Sequence, residues 1–293
     1  MDISCVIERV IATVIFYIFV ILLFSLLFYA HMNTKKAVFT RVTLPLNVNE
    51  NWNGMLKVLH LSDLHMENLS ISPTQLFNQL KYENIDLIAL TGDYLDRAKS
   101  IPKFLTYIDQ LKELTIEHGI FVVFGNHDYV LKTKDFLRLK EELELRGCHL
   151  LINENKQITH AGKRINIIGI DDHHSGRSHV AKSFDGVSDG LHLVLTHDPN
   201  IVLKMRDYHY DYLLSGHFHG GQIHYPKAYH LTRMGKLPKM NIIKGLHYHE
   251  EKAFYISEGL GQTGVNIRVG SRPEITLHEL TLAAADKEVA KTI

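Results

Sequence analysis

Cysteine is nearly absent: Cys5 and Cys148, far apart, are the only two in 293 residues. So few thiols exclude a disulfide framework and a thiolate zinc site, and both are read as reduced. Net charge is also lacking, since Lys plus Arg and Asp plus Glu each total 32. No global field gathers nucleic acid, which is not expected as a partner. Internal repeats and low-complexity tracts are missing. With 45% hydrophobic and 22% charged residues, the chain has ample material for a packed core, which excludes a disordered protein. Another absence is local: the 21 residues from Val10 to Ala30, VIATVIFYIFVILLFSLLFYA, carry no charge. That is about the length that crosses a bilayer. A transmembrane helix over 10–31 is expected ahead of a cleaved signal peptide, because the head MDISCVIER is not cationic and no small-x-small site precedes HMNTKK. Arg9 precedes the run and Lys35, Lys36 and Arg41 follow it, which orients the C-terminal bulk toward the cytoplasm.

The expected organisation is a tail over 1–9, the span over 10–31, a juxtamembrane linker over 32–55, one domain over 56–281 and a polar tail over 282–293. Within the domain, β-rich runs alternate with helical patterns. LKVLHLS precedes a helix starting at Ser72-Pro73; IDLIALT precedes a helix from Pro102 to Glu117; IFVVFGN precedes a helix from Lys134 to Arg146, stopped at Gly147. This alternation predicts an α/β fold with partly parallel strands under helices. RINIIGI, LHLVLTH, YDYLLSG, KAFYISEGL and EITLHEL follow with fewer helices between them, which predicts a second, more antiparallel sheet.

Five apolar runs each end in metal-capable side chains: Asp63 and His65, Asp93, Asn126 and His127, His197, and His217 with His219. Strand ends are where open α/β sheets converge side chains into sites. Residues i and i+2 of an extended segment share a face, so Asp63 with His65, and His217 with His219, can address one point. Carboxylate, imidazole and one amide oxygen, without thiolate, favour manganese, iron or zinc in five or six coordination. Eight candidates exceed the needs of one ion, and a carboxylate can bridge two ions about 3.5–4 Å apart, a common device for holding a phosphoryl group. Two divalent ions and phosphoester chemistry are expected. Any one histidine alone is more often a core or surface residue; the repetition of the strand-end setting carries the reading.

The segments SDLH, TGDYLDR, FGNHD, LTHDP and SGHFHGGQ, in that order across residues 57–222, resemble the five sequence blocks of the calcineurin-like metallophosphoesterases. GIDD, GLGQTGVNIRVGSRPEI and the apolar N-terminus resemble a bacterial membrane-associated branch of that superfamily, related to the membrane-bound UDP-2,3-diacylglucosamine pyrophosphatases. The resemblance implies an α/β sandwich of two mixed β-sheets flanked by helices, here preceded by one transmembrane helix. It implies Asp63, His65, Asp93 and His219 around a first ion and Asp93, Asn126, His197 and His217 around a second, with manganese foremost and iron or zinc as alternatives. His127 would be the non-ligand catalytic histidine that protonates the leaving group, oriented by Asp96, while a hydroxide bridging the ions attacks in line. Arg97 would touch a phosphate oxygen or form a plain salt bridge. Asp128 is read as a helix cap. Gly220 and Gly221 are read as a turn with little room for side chains and a need for positive φ.

From Gly216 to His249 there is no acid, but Lys227, Arg233, Lys236, Lys239 and Lys244 alternate with Leu231, Met234, Leu237, Met240 and Ile242. Such a loop suits an anionic amphiphile or lipid headgroups; a solvated insertion is the competing reading. Arg268 and Arg272 are candidate phosphate contacts, or else pins for the glycine-rich turn. DDHHSGRSH, residues 171–179, is read as a site-lining or surface loop ahead of an extra metal site. The expected function is a phosphodiesterase or pyrophosphatase at a bacterial inner membrane, with UDP-2,3-diacylglucosamine as the sharpest substrate. A soluble phosphoester and a non-catalytic binding module are the alternatives. No protein partner is expected.

Overall fold

A computed structural model describes residues 3–46, 54–114 and 116–281. A long helix, α1 (Ile3–Asn33), precedes β1 (Val38–Pro45) and β2 (Met55–Leu61). Strands and helices then alternate through α2 (Pro73–Leu80), β3 (Leu87–Thr91), α3 (Ile101–Lys112), β4 (Ile120–Val123), α4 (Thr133–Leu145) and β5 (His149–Leu150). The remainder runs β6 (Glu154–His160), β7 (Lys163–Gly169), α5 (Val180–Ser183), β8 (Leu191–Leu195), β9 (Tyr212–Ser215), α6 (Lys236–Lys239), β10 (Gly245–His249), β11 (Lys252–Ile256) and β12 (Glu274–Thr281). α2 begins where the sequence signals it: Ser72 and Gln75 form a reciprocal capping box and Pro73 opens the first turn.

Two six-stranded mixed sheets result, in the orders β1-β12-β2-β3-β4-β5 and β10-β11-β9-β8-β7-β6. They face each other across a shared core because the strands alternate. Leu56, Val58, Leu87 and Ala89 point inward with Ile165, Ile167, Leu193 and Tyr212 of the other sheet. The intervening Leu59, Leu61, Ile88 and Leu90 point outward under α2, α3 and α4. On the far face of the second sheet, Val194, Leu213 and Ile256 pack under the turns that include Leu231 and Leu237. Each such aliphatic side chain, fully buried, contributes about 1.5–3 kcal/mol.

Four expectations need correction. The EITLHEL run is not in the second sheet: as β12 it lies between β1 and β2 of the first, antiparallel to β2. The second sheet is antiparallel only at its edges; β7, β8, β9 and β11 run parallel, because the long connections 170–190 and 196–211, mostly without long helices, carry the chain back. Residues 38–45, taken as part of a linker, form β1, whose eight residues all pair with β12. The predicted helix to Glu117 stops at Lys112, since Ile116 is drawn into a parallel bridge with Ile85. The tail expected over 282–293 lies outside the described residues.

With β2, β3 and β4 parallel in one sheet and β8 and β9 parallel in the other, the C-terminal ends of five strands meet at one edge of the sandwich.

Candidate active site

Backbone pairing persists past the strand ends and aims the side chains. The Asp63 N–H donates to Gly92 O at 2.9 Å and the His65 N–H to Asp93 O at 3.0 Å. The chain then turns sharply: Asp63, His65, Asp93, His217 and His219 all hold positive φ, five of the eleven non-glycine residues that do so among those described. Such backbone strain concentrates at functional sites. Gly220 and Gly221 follow with φ of 56° and 86°, and a Cβ on Gly220 would stand 2.2 Å from Glu258 Oε2, which bears out the need for bare backbone there.

The candidate ligands converge in two groups joined by Asp93. His219 Nε2 lies 3.3 Å from Asp63 Oδ1 and 3.2 Å from His65 Nε2. His197 Nε2 lies 3.0 Å from Asp93 Oδ2 and 3.1 Å from His217 Nδ1. The same Asp93 oxygen is 3.7 Å from His65 Nε2, so this carboxylate stands between the groups. Three polar atoms here are buried with no hydrogen-bond partner: Asn126 Oδ1, His217 Nε2 and His219 Nδ1. Orphaned buried polar atoms are costly, and cations satisfy them. His197 makes the same point by its tautomer. Its Nδ1–H donates to Thr91 O at 2.7 Å, which leaves the Nε2 lone pair facing a carboxylate. That arrangement needs a positive charge between them, which a ring proton supplies as a metal ion would, since burial is outweighed by the Asp93 charge and the His197 pKa is raised well above its usual value. An outer hydrogen bond of this kind orients metal-binding histidines. The residues fit a pair of divalent cations.

Electrostatics agree. Burial lowers the pKa of His217 and of His219 well below the usual histidine value, helped by His197 and His65 respectively, and the neutral ring is the ligating form. For Asp93, burial disfavours the charge but the surrounding histidines, His197 first, outweigh it and hold the carboxyl well below its usual range.

His127 stands beside the cluster. Its Nδ1–H donates to Asp96 Oδ1 at 2.8 Å, and its backbone N–H donates to Asp93 Oδ1 at 2.8 Å. Burial alone would lower its pKa, yet the Asp96 hydrogen bond and the Asp93 charge prevail and raise it to about 9. Asp96 shifts the other way: burial is outweighed by His127 and His65 and the carboxyl is held low.

A cavity of about 360 Å³ opens over these groups. Asp93, Asn126, His127 and His217 form its polar floor; Phe218, Ile223, Leu231 and Met234 supply apolar wall. His174 lines it too, its ring 4.9 Å from that of His217, so the 171–179 segment is a site-lining loop.

The arginines sort differently. Arg268 is 0% exposed, and its guanidinium donates to the carbonyls of His219 (2.9 Å), Glu258 (2.7 Å), Gly259 (2.9 Å) and Gly261 (2.6 Å). It pins the turn of His219 and is not a phosphate contact, because no donor edge is left to solvent. Arg272 lines a separate groove with Tyr29, Lys244 and Glu258, not the catalytic cavity. Arg97 is exposed beside Asp96 and, among the described residues, makes no ion pair. Asp128, read as a cap, does more: its buried carboxylate accepts from the N–H groups of Asp93 (2.9 Å), Tyr94 (2.8 Å) and Gly125 (2.9 Å), tying the β3 and β4 ends together. Burial and the Asp93 charge raise its pKa to about 8. Its place within FGNHD was the available signal.

A fold of two mixed sheets with carboxylates and imidazoles gathered at their common edge defines a metal-dependent phosphoester hydrolase. The family profile of the calcineurin-like phosphoesterases matches residues 56–221, and the chain belongs to that family. It is 54% identical over 268 residues to the metallophosphoesterase YkoQ of Bacillus subtilis, covering 92% of this chain and 99% of that one. It is 29% identical to the phosphodiesterase YaeI of Escherichia coli, across 76% and 82% of the two chains. Among solved structures, the phosphopantetheinyl hydrolase PptH of Mycobacterium tuberculosis aligns with a TM-score of 0.48 at 11% identity, over 71% of this chain and 91% of that one.

Proposed function

We propose that the chain is a membrane-anchored phosphodiesterase or pyrophosphatase acting on an anionic amphiphile at the membrane surface, its catalytic domain facing the cytoplasm. The observation that carries this reading is the attachment of α1 to the rim of the catalytic cavity. The stretch Val6–Asn33 is long and apolar enough to cross a bilayer, and its large side chains are exposed, Phe24 at 68% and Phe28 at 67%. Its last turn, in contrast, is docked. Ala30 O accepts from the Arg268 N–H at 2.9 Å, His31 Nδ1 donates to Asn266 O at 3.0 Å, and Asn33 Nδ2 donates to Arg268 O at 3.1 Å. The neighbouring Val265 O accepts from Gln222 Nε2 at 3.0 Å, and Gln222 lines the cavity together with Ile223 and Thr263. Val265 and Ile223 are themselves exposed. An apolar cavity rim held against the end of an apolar helix favours a substrate that is itself partly in the bilayer.

Two bound divalent cations, manganese foremost, would supply Lewis acidity that neutralises phosphoryl charge and yields a nucleophile from water at neutral pH. Asp63, His65, Asp93 and His219 would hold one, and Asp93, Asn126, His197 and His217 the other. His127 performs the proton chemistry. With Nδ1–H committed to Asp96, its Nε2 carries the proton that the departing oxygen takes, and a raised pKa keeps that proton in place at neutral pH. Asp128 and Arg268 keep the loops of Asp93 and His219 in register. Arg97 at the rim would meet a phosphoryl oxygen.

UDP-2,3-diacylglucosamine, the pyrophosphate-linked lipid of lipid A synthesis, is the sharpest substrate. The test is UMP release by the manganese-loaded full-length protein in detergent, against an EDTA control. Metal-dependent release is expected. Absence of release from a preparation that still cleaves bis(p-nitrophenyl) phosphate would refute this substrate and leave another membrane diester or a soluble one.

A further inference from the structure

We propose that a second, cationic subsite adjoins the catalytic cavity and selects substrates that carry an acidic group in addition to the scissile phosphoryl, a second phosphate being the ligand it fits. The inference deepens the phosphoester-hydrolase reading and rests on it. Beside the catalytic cavity lies an open cavity of about 380 Å³, and the two share His174 and Met234 as a common wall. Lys204, Arg233 and Lys236 line the second cavity. All three are exposed, and none is in an ion pair among the described residues. The one carboxylate in the lining, Asp198, is buried and already engaged: its Oδ1 accepts from the Asn200 N–H at 2.9 Å and from Asn200 Nδ2 at 2.7 Å. Three exposed cations thus face one cavity against the single Asp198 carboxyl, which leaves the lining net cationic.

A solvated basic face would fit the charges alone. What distinguishes this one is how firmly it is set relative to the reacting centre. Asn200 lies three residues past the candidate ligand His197, and its side chain reaches across to the basic segment. Nδ2 donates to Met234 O at 2.9 Å, and Oδ1 accepts from the Leu237 N–H at 3.1 Å. Gly235, at φ 127°, lies so close that a Cβ there would meet the Asn200 side chain at 2.3 Å. Arg233 and Lys236 are therefore held by the same turn that follows His197. Met234, between them, faces the catalytic cavity and the cationic one at once. A substrate whose scissile phosphoryl sits over Asp93 and His217 passes His174 and meets three unpaired cations. Phosphate, with several acceptor oxygens, answers such a set by charge-assisted hydrogen bonds.

The test uses the full-length, manganese-loaded protein and two esters that differ by one phosphate: thymidine 5′-(p-nitrophenyl phosphate) and its 3′-phosphorylated counterpart. The wild type is expected to favour the bisphosphate by about tenfold in kcat/KM, carried by KM. In the triple variant Lys204→Gln, Arg233→Gln, Lys236→Gln the ratio falls toward one. A variant with the same loss of charge elsewhere, Lys81→Gln, Lys134→Gln, Arg138→Gln, keeps the wild-type ratio. A ratio near one in the wild type, a ratio that survives the triple variant, or an equal fall in the control variant would each overturn the subsite. Wild-type protein inactive on both esters and on bis(p-nitrophenyl) phosphate would overturn the hydrolase reading itself, whereas retained diester turnover with no preference would overturn only the subsite.

Discussion

Two groups of deeply buried histidines, among the described residues, differ in nearly every respect but residue type and burial. His60 and His278 lie inside the sandwich with their ring nitrogens engaged: His60 Nε2 meets Thr91 Oγ1 at 2.8 Å, His278 Nδ1 meets Tyr212 Oη at 3.0 Å, and the remaining nitrogens face each other at 3.4 Å. Both sit within regular strands, β2 and β12. His65, His197, His217 and His219, at the strand ends, crowd two carboxylates; two of them, His217 and His219, leave a ring nitrogen without a partner, and three of the four ride on positive φ. Burial is common to both groups; only the second is built around something other than protein. The mark of a candidate metal-binding histidine here is a buried ring nitrogen beside a carboxylate and, in three of four, a backbone strained to aim it.

Substitutions should separate the groups, with the largest effect at their most connected ligand. Asp93→Ala is expected to abolish turnover of bis(p-nitrophenyl) phosphate and to lower bound metal, measured together on one preparation; metal content equal to wild type would remove Asp93 from its bridging role. His127→Ala should reduce turnover by about 10²–10⁴-fold while both ions stay bound. Loss of the ions in that variant would make His127 a ligand and refute its assignment as proton donor.

Arg268→Met is expected to destabilise the fold by about 3 kcal/mol or more, since four buried carbonyls lose their donors together, and to weaken metal binding through the His219 turn. Urea unfolding and metal titration check both; a variant as stable as wild type would contradict the pinning role.

The smallest effect belongs to the inner pair. Burial depresses the folded-state pKa of His60 to about 3, against about 6.5 when unfolded. Between those values the unfolded chain binds one more proton than the folded one, so this histidine's contribution is full above pH 6.5 and is lost as pH falls, at about 1.4 kcal/mol per unit. His60→Gln should keep both ions and flatten the fall in stability between pH 6.5 and 4.5 in metal-free protein. Parallel stability curves for variant and wild type would contradict it.

The strand ends were legible because apolar runs of four to seven residues stop at polar, turn-forming clusters, and side-chain alternation then fixes which residues share a face. The position of β12 was not legible: its alternation is the same whether it pairs in one sheet or the other, and only tertiary contacts between distant segments decide. β1 was hidden by Pro45 at its own end and by the Asn-rich residues that follow it. Arg268 looked like a phosphate ligand because a cation in a glycine-rich stretch offers donors, and the carbonyls that claim them come from residues 219 to 261, assembled only by folding. Asp128 and Asn200 escaped for the same reason, as their partners lie in other loops.

Turnover is expected to require two cations held by one bridging carboxylate. The most direct test is to titrate manganese into metal-free full-length protein while recording ions bound per chain and hydrolysis of bis(p-nitrophenyl) phosphate. Turnover should rise only as the second equivalent fills. Full turnover at one equivalent, or turnover without bound metal, would contradict the account.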